Sequence, residues 1–184
     1  MTRTRTIRLL SLLGGVGLAT VVAIMVLGSV ATGSTSRATT ISARLSGFNE
    51  VPPILTNGQA TFHAVVRSDR IDYRLTFSGL TSDATQSHLH FGERGVNGGI
   101  FLFLCSNLGN APAGTPACPA SGGTVRGTLT AADVVAIPAQ NVTAGDLEGA
   151  LRIIRSGDAY VNVHTVNFPA GEIRGQVPFA FGWR

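Results

Sequence analysis

The sequence predicts an all-β fold, an antiparallel β-sandwich or barrel of about eight short strands with one helix. Apolar and polar residues alternate with a period of two in several runs, which is typical of half-buried strands. Clusters of Gly, Pro and Asn separate these runs, and a single segment shows helical spacing. The length of 184 residues suits one domain, and 23 Gly with 13% charged residues fit short strands and tight turns.

The clearest strand lies at residues 71–77. Ile71, Tyr73, Leu75 and Phe77 alternate there with polar residues, so one face is predicted to be buried. By the same reasoning, or by continuous apolar character, further strands are predicted at 41–46, 62–66, 86–91, 100–104, 125–129, 159–164 and 173–177.

One helix is predicted at about residues 144–155. The segment from Thr143 to Asp146 resembles a capping box with Asp in place of Glu. Apolar residues then recur at helical spacing, and Gly157 is well placed to end the helix. A shorter helical turn is expected at 131–135.

The positive charge of the chain is concentrated at its N-terminus. The formal net charge is +4, all 14 cationic residues are Arg, and three of them lie in the first eight residues. An uncharged, mostly apolar run from Leu9 to Ala31 follows, as in a signal peptide or an N-terminal membrane anchor. The run is long enough to span a bilayer, whereas Ser29-Val30-Ala31 suits cleavage, so both alternatives stay open.

This pattern predicts four parts: a leader or anchor at 1–31, a linker at 32–40, a domain at 41–178 and a tail at 179–184. We expect the domain to be extracytoplasmic, secreted or anchored through residues 9–31. Beyond the leader, 11 Arg face 10 acidic residues without a basic cluster. This near balance argues against a nucleic-acid partner.

Two cysteines, Cys105 and Cys118, enclose a segment rich in Gly, Ala and Pro. In an exported protein an even pair of this kind is typical of a disulfide. A redox pair or metal thiolates are the alternatives, but the C-x-x-C spacing is missing.

Three of the four histidines stand on predicted strands in a pattern that suits a metal ion. His88 and His90 are two residues apart and therefore share a face, and His164 ends another strand. If these strands are neighbours, the three imidazoles would converge as ligands for copper or zinc. The alternative is a hydrogen-bond network that orients the Gly-rich turn at 92–99.

Catalytic patterns are weak elsewhere. There is no G-x-S-x-G motif and no phosphate-binding Gly motif. Glu50, Glu93 and Glu172 could serve in acid–base chemistry, but their spacing does not pair them. Salt bridges to Arg94 or Arg174 are the simpler expectation, so we predict that the protein is not an enzyme.

Four blocks in order resemble the chordin-type (CHRD) domain. They are L-S-G-F-N-E-V-P-P from residue 45, H-L-H-F-G from residue 88, G-D-A-Y-V-N-V-H-T from residue 157 and P-A-G-E-I-R-G from residue 169. The resemblance runs from about residue 41 to 178. It implies an extracellular all-β module with recurring histidines, here His88, His90 and His164. We favour a non-enzymatic role in which this module binds a protein, glycan or envelope partner.

Two further expectations follow from these blocks. Glu50, before Pro-Pro, could pair with Arg174 and lock two loops together. The H-x-H strand followed by a Gly-rich loop is also similar to copper/zinc superoxide dismutase. Since that family's two-metal site needs six His and the chain has 4, at most a mononuclear copper or zinc site is expected.

Overall fold

The computed structural model describes residues 38–179, which form an eight-stranded antiparallel sheet and one α-helix. The predicted all-β class is therefore confirmed. Among these residues no helix is long and apolar enough to cross a membrane. The strands are β1 (Thr39–Ser46), β2 (Gln59–Val66), β3 (Ile71–Ser78), β4 (Ala84–Phe91), β5 (Gly99–Ser106), β6 (Gly123–Leu129), β7 (Ala159–Thr165) and β8 (Ile173–Gln176).

The strands form one nearly closed, barrel-like sheet in the order β5-β4-β7-β8-β1-β2-β3-β6. The edge strands β5 and β6 approach each other across the remaining gap. Tyr73 on β3 donates its hydroxyl to the carbonyl of Leu104 on β5 at 2.5 Å, which ties the two sides together. The closure leaves few unpaired strand groups exposed.

The barrel core is built by the alternation that the sequence shows. On β3, Ile71, Tyr73, Leu75 and Phe77 are buried while Arg74 and Thr76 are exposed. Leu89 on β4 and Val161 on β7 are partners in register and fully buried on the same face of the sheet. β7 differs because all of its residues are buried, so its second face is also covered.

The α-helix, α1, spans Leu147–Ser156 and starts later than predicted. The cap is Asp146, whose side chain accepts the backbone N–H of Gly149, rather than Thr143. Gly145 has a φ of 82° and therefore belongs to a preceding turn. Gly157, with a φ of 85°, ends the helix as predicted, and the expected short turn is a 3-10 helix at Ala131–Asp133.

Cys105 and Cys118 form a disulfide, as predicted. The bond closes the loop that follows β5. The Asn107 side chain also holds this loop, because it donates to the carbonyl of Cys118 and accepts from the backbone N–H of Cys118. β1 begins at Thr39, so the last two residues of the predicted linker lie in a strand. The predicted leader at 1–31, most of the linker and the tail beyond Phe179 lie outside the described residues.

Candidate metal site

Neighbouring strands bring the three predicted histidines together. β4 pairs with β7, so that His88 lies opposite Asn162 and His90 opposite Tyr160. His164 shares the Asn162 face of β7, since residues two apart on a strand point the same way. This face is opposite the barrel core. We call the buried set His88, His90, Asn162 and His164 the histidine layer.

Irregular pairing surrounds the histidines on β4. The register between β4 and β5 shifts on both sides of His88 and Leu89, between Ser87 and His88 and again between Leu89 and His90. Shifts of this kind change the direction of nearby side chains and are common beside functional sites. They place the ring of His88 edge-on against Phe103, with the ring centroids 4.6 Å apart.

A Gly-rich loop at residues 92–98 covers the layer and is held by Arg174 on β8. The Arg174 guanidinium donates to the carbonyls of Glu93 and Val96 at 3.0 and 2.8 Å. It also donates to the side-chain oxygen of Asn97 at 3.2 Å. These hydrogen bonds hold the loop over the sheet as a fixed cover. Arg174 itself is buried and only 1% exposed.

Arg174 also continues a stack that ends at the histidine layer. Its guanidinium carbon lies 3.3 Å above the ring centre of Tyr160. Tyr160 in turn stacks on His90, with parallel rings at 4.6 Å. Such contacts fix the plane of the imidazole as well as its position.

Backbone carbonyls determine which nitrogen carries the proton in two of the rings. His90 Nδ1 lies 2.9 Å from the carbonyl oxygen of Gly98, and His164 Nδ1 lies 2.9 Å from that of Pro169. Because a carbonyl only accepts hydrogen bonds, each neutral ring carries its proton on Nδ1. The Nε2 atoms of His90 and His164 therefore present lone pairs.

The environment keeps the three imidazoles neutral. Burial, reinforced by His164 and His90, lowers the pKa of His88 to about 2. Burial likewise lowers the pKa of His90 to about 4, and it also lowers the pKa of His164. Neutral imidazole is the form that ligates metals. Near pH 7, therefore, none of these rings has to be converted from the imidazolium form before it binds a metal ion.

The histidine nitrogens have the spacing of metal ligands. One ligand atom from each of His88, His90 and His164 can be chosen so that all lie within 4.8 Å of one another. His88 Nδ1 and His164 Nε2 are 3.1 Å apart. Two ligands with bonds of 2.0–2.1 Å at a tetrahedral angle stand about 3.3 Å apart, so this pair already matches.

Glu50 is buried near the same layer. The described residues provide no hydrogen-bond partner for Glu50 Oε1 or for His88 Nε2. Burial raises the pKa of Glu50 to about 7, against the lowering effects of Arg174 and of the Val51 amide. Gly171, with a φ of 125°, fits beside this carboxyl because a Cβ there would lie 2.6 Å from Glu50 Oε1.

Glu172 forms a contrasting cluster. Its carboxylate accepts hydrogen bonds from the hydroxyls of Thr56, Thr81 and Thr165 and from the Thr81 amide, all at 2.6 to 2.9 Å. Burial would raise its pKa, but these donors outweigh that effect and lower it. We call Glu172 and the three threonines the Glu172 network.

The structure thus brings together His88, His90 and His164, as the metal prediction requires. Binding of a metal ion itself stays a prediction. Glu50 and Arg174 lie in each other's electrostatic field, but among residues 38–179 no ion pair joins them. Arg174 uses its donors on the covering loop instead.

Two contributors to this region were not predicted as members of a site. The spacing in Y-V-N-V-H puts Asn162 on the face of His164, but only the histidines were expected to act together there. Glu172 was expected in a salt bridge, yet its partners are threonines from three separate segments. Nothing in the local sequence around Glu172 marks these partners.

The architecture and the site define a class: an antiparallel barrel-like domain with a buried histidine layer under a Gly-rich loop. The CHRD domain model matches residues 41–177, so the chain belongs to the CHRD domain family. The resemblance seen in the sequence is thereby confirmed. Neither a curated protein nor a solved structure matches the chain.

Proposed function

We propose that the protein is an extracytoplasmic CHRD module that holds one copper or zinc ion through His88, His90 and His164. The observation that carries the proposal is the convergence of three buried imidazoles whose ligand atoms lie within 4.8 Å of one another. In the proposed role the ion is held by the module and no reaction is catalysed.

The hydrogen bonds of the ring nitrogens that would not bind the metal support this role. Metal-bound histidines usually donate their other N–H to a carbonyl or carboxylate, which fixes the ring and raises its basicity. The carbonyls of Gly98 and Pro169 stand in this position for His90 and His164. The disulfide fits an oxidising compartment, and the Arg-rich start followed by an apolar run fits export.

The test is metal analysis of the purified full-length chain in mild detergent. After incubation with zinc and, separately, with copper, followed by removal of free metal, we expect one equivalent per chain. Because only the folded state holds the three ligands together, bound metal should raise the melting temperature. A free metal concentration of 100 times Kd corresponds to about 2.7 kcal/mol of added stability.

His63 offers a matched control. It is exposed on β2, far along the sheet from β4, so His63→Ala should keep both the stoichiometry and the metal-dependent stabilisation. His88→Ala should lose both. The proposal fails if the wild-type chain retains clearly less than one equivalent of zinc and also clearly less than one equivalent of copper, or if His88→Ala still shows the thermal shift.

A second candidate function is the binding of an extracellular protein, glycan or envelope component. Its specific support is the exposure of three large apolar side chains on two loops near the layer: Phe48 at 67%, Leu55 at 87% and Val96 at 46%. The loops are joined where Asn97 donates its side-chain N–H to the carbonyl of Val51 at 3.2 Å. Exposed apolar residues of this size often mark contact surfaces.

Site-specific photo-crosslinking in cells separates this surface from a generic one. A crosslinker placed at position 55 should give a discrete adduct that Phe48→Ser weakens. A crosslinker at Leu108, which is also exposed at 56%, is the control and should give none. Equal adducts from both positions would refute a specific surface.

A further inference from the structure

We propose that Asn162 supplies the fourth ligand of the histidine site, through Oδ1, and that the site is a closed set of three nitrogens and one oxygen suited to zinc. The inference rests on the proposed function, since Asn162 ligates nothing if no ion binds. It assigns a ligand, a coordination number and a preferred metal to the site.

The first argument is position. Asn162 lies directly opposite His88 on the neighbouring strand, and directly opposed side chains of an antiparallel pair are about 5 Å apart at Cβ. On its own strand Asn162 stands between Tyr160 and His164 on the same face. It is 2% exposed, so its amide faces the protein interior, among the three imidazoles.

The second argument is the chemistry of the facing atoms. His90 carries its proton on Nδ1 and donates a hydrogen bond from there to the carbonyl of Gly98, so Nε2 presents a lone pair. The atom opposite that lone pair is Asn162 Oδ1, at 3.1 Å, which is also an acceptor. Two acceptors at this distance repel each other unless a cation lies between them. The spacing is close to the roughly 3.3 Å expected between two ligands of one metal ion.

The remaining pair in the layer has the same spacing. His88 Nδ1 and His164 Nε2 are also 3.1 Å apart, and His164 Nε2 presents a lone pair because the ring carries its proton on Nδ1 and donates it to the Pro169 carbonyl. If His88 donates its only proton to His164, then His88 Nε2 is a buried lone pair without a partner among the described residues. An ion shared by both pairs would take the place of this proton between His88 Nδ1 and His164 Nε2, and it would separate the facing acceptors of His90 and Asn162. The His88 proton would then lie on Nε2.

A metal-free arrangement of the same atoms has different consequences. If the Asn162 amide is turned so that its NH2 faces His90, it donates a hydrogen bond to Nε2 and the layer is a network without a metal. The amide oxygen then plays no part in metal affinity. The two arrangements therefore differ in what happens when that oxygen is removed or made anionic.

The proposed ligand set has two consequences. Four protein ligands leave no open position, which is typical of structural zinc sites, whereas catalytic sites keep one position for water or substrate. An oxygen ligand also favours zinc over copper(I), which prefers softer donors. The site is thus expected to stabilise the covering loop and the domain rather than to activate a substrate.

The experiment compares the wild-type chain with Asn162→Ala and Asn162→Asp, using zinc for affinity and cobalt(II) as the spectroscopic probe. Asn162→Ala removes the oxygen, and Asn162→Asp keeps an oxygen and adds charge. We expect at least a tenfold loss of zinc affinity in Asn162→Ala and a shift of the visible cobalt bands as water enters. Asn162→Asp should bind zinc more tightly than the wild type and should also shift the cobalt bands, because an anionic oxygen ligand replaces a neutral one. Asn110→Asp, an exposed asparagine, is the matched control and should change neither.

The outcomes are distinguishable. If the wild-type chain binds neither metal, the proposed function itself fails. If it binds one equivalent, but Asn162→Ala has the same affinity and the same cobalt spectrum, the metal site stands and the role of Asn162 is refuted. Circular dichroism checks folding. Should Asn162→Ala not fold, Asn162→Asp decides, because unchanged affinity and an unchanged spectrum there also refute the ligand role.

Discussion

The Glu172 network and the histidine layer lie side by side, yet they satisfy their polar groups differently. Glu172 is fully buried and accepts four hydrogen bonds from threonine hydroxyls and an amide. In and beside the histidine layer, the described residues give no partner to His88 Nε2 or Glu50 Oε1. Buried polar groups are nearly always paired in native proteins, so the difference is informative.

The comparison separates two uses of buried polarity. A completed network such as that of Glu172 connects distant segments and stabilises the fold, because every donor has an acceptor. A buried polar atom without a partner costs free energy, and such costs are concentrated at functional sites. The opposite pKa shifts of the two carboxyls, lowered at Glu172 and raised at Glu50, express the same difference.

The largest effect is expected from breaking the completed network with Glu172→Gln. The change removes the charge and turns an NH2 group toward donors, so we expect a loss of about 3 kcal/mol in the free energy of unfolding. The melting temperature should fall by roughly 10 °C. Denaturant unfolding in the presence of a chelator measures the loss without a contribution from bound metal.

The pH dependence of that loss has a definite sign. Because the folded-state pKa of Glu172 lies below its usual value of 4.5, its stabilisation is complete above pH 4.5 and disappears as the pH falls through the folded-state pKa. The deficit of Glu172→Gln should therefore shrink in acid. Glu93→Gln, at an exposed carboxyl, is the control. Equal losses in the two variants would contradict a special role for the network.

The two regions also differ in how far sequence predicts them. The histidine layer follows from alternation: H-x-H and Y-V-N-V-H put their members on single faces, and neighbouring apolar strands bring those faces together. The same periodicity predicts the eight strands. The Glu172 network joins Thr56, Thr81 and Thr165 through loop ends, where no period applies. The helix starts at Leu147, later than the predicted residue 144, because Gly145 turns the chain and leaves Asp146 as the cap.

A smaller effect is expected from loosening the cover of the histidine layer with Arg174→Lys. Lysine keeps the charge but cannot reach three acceptors from one plane or stack on Tyr160 as a guanidinium does. We expect a loss of about 2 kcal/mol. Amide hydrogen exchange in residues 93–98 should also accelerate more than exchange in β2.

Arg126→Lys tests whether any such loss is specific. Arg126 is exposed on β6, so the same chemical change there should leave unfolding and exchange within about 0.5 kcal/mol of the wild type. If Arg174→Lys accelerates exchange equally throughout the barrel, then Arg174 supports the whole domain and does not specifically hold the cover.

An effect of similar size but of opposite sign is expected from Glu50→Gln. The folded state keeps a proton on Glu50 up to a pKa of about 7, whereas the unfolded chain releases it near the usual value of 4.5. Folding therefore loses stability as the pH rises from 4.5 to 7, and glutamine, which cannot ionise, is free of this loss. Relative to the wild type, Glu50→Gln should gain on the order of 2 kcal/mol between pH 4.5 and 7.5.

The groups that act on Glu50, namely Arg174, Tyr160 and the Val51 amide, are unchanged by the substitution, so the pH dependence of the difference belongs to Glu50. Unfolding curves at several pH values in chelator measure it. A difference that stays constant with pH would show that burial does not raise the pKa of Glu50, and the contrast between the two regions would then rest on His88 alone.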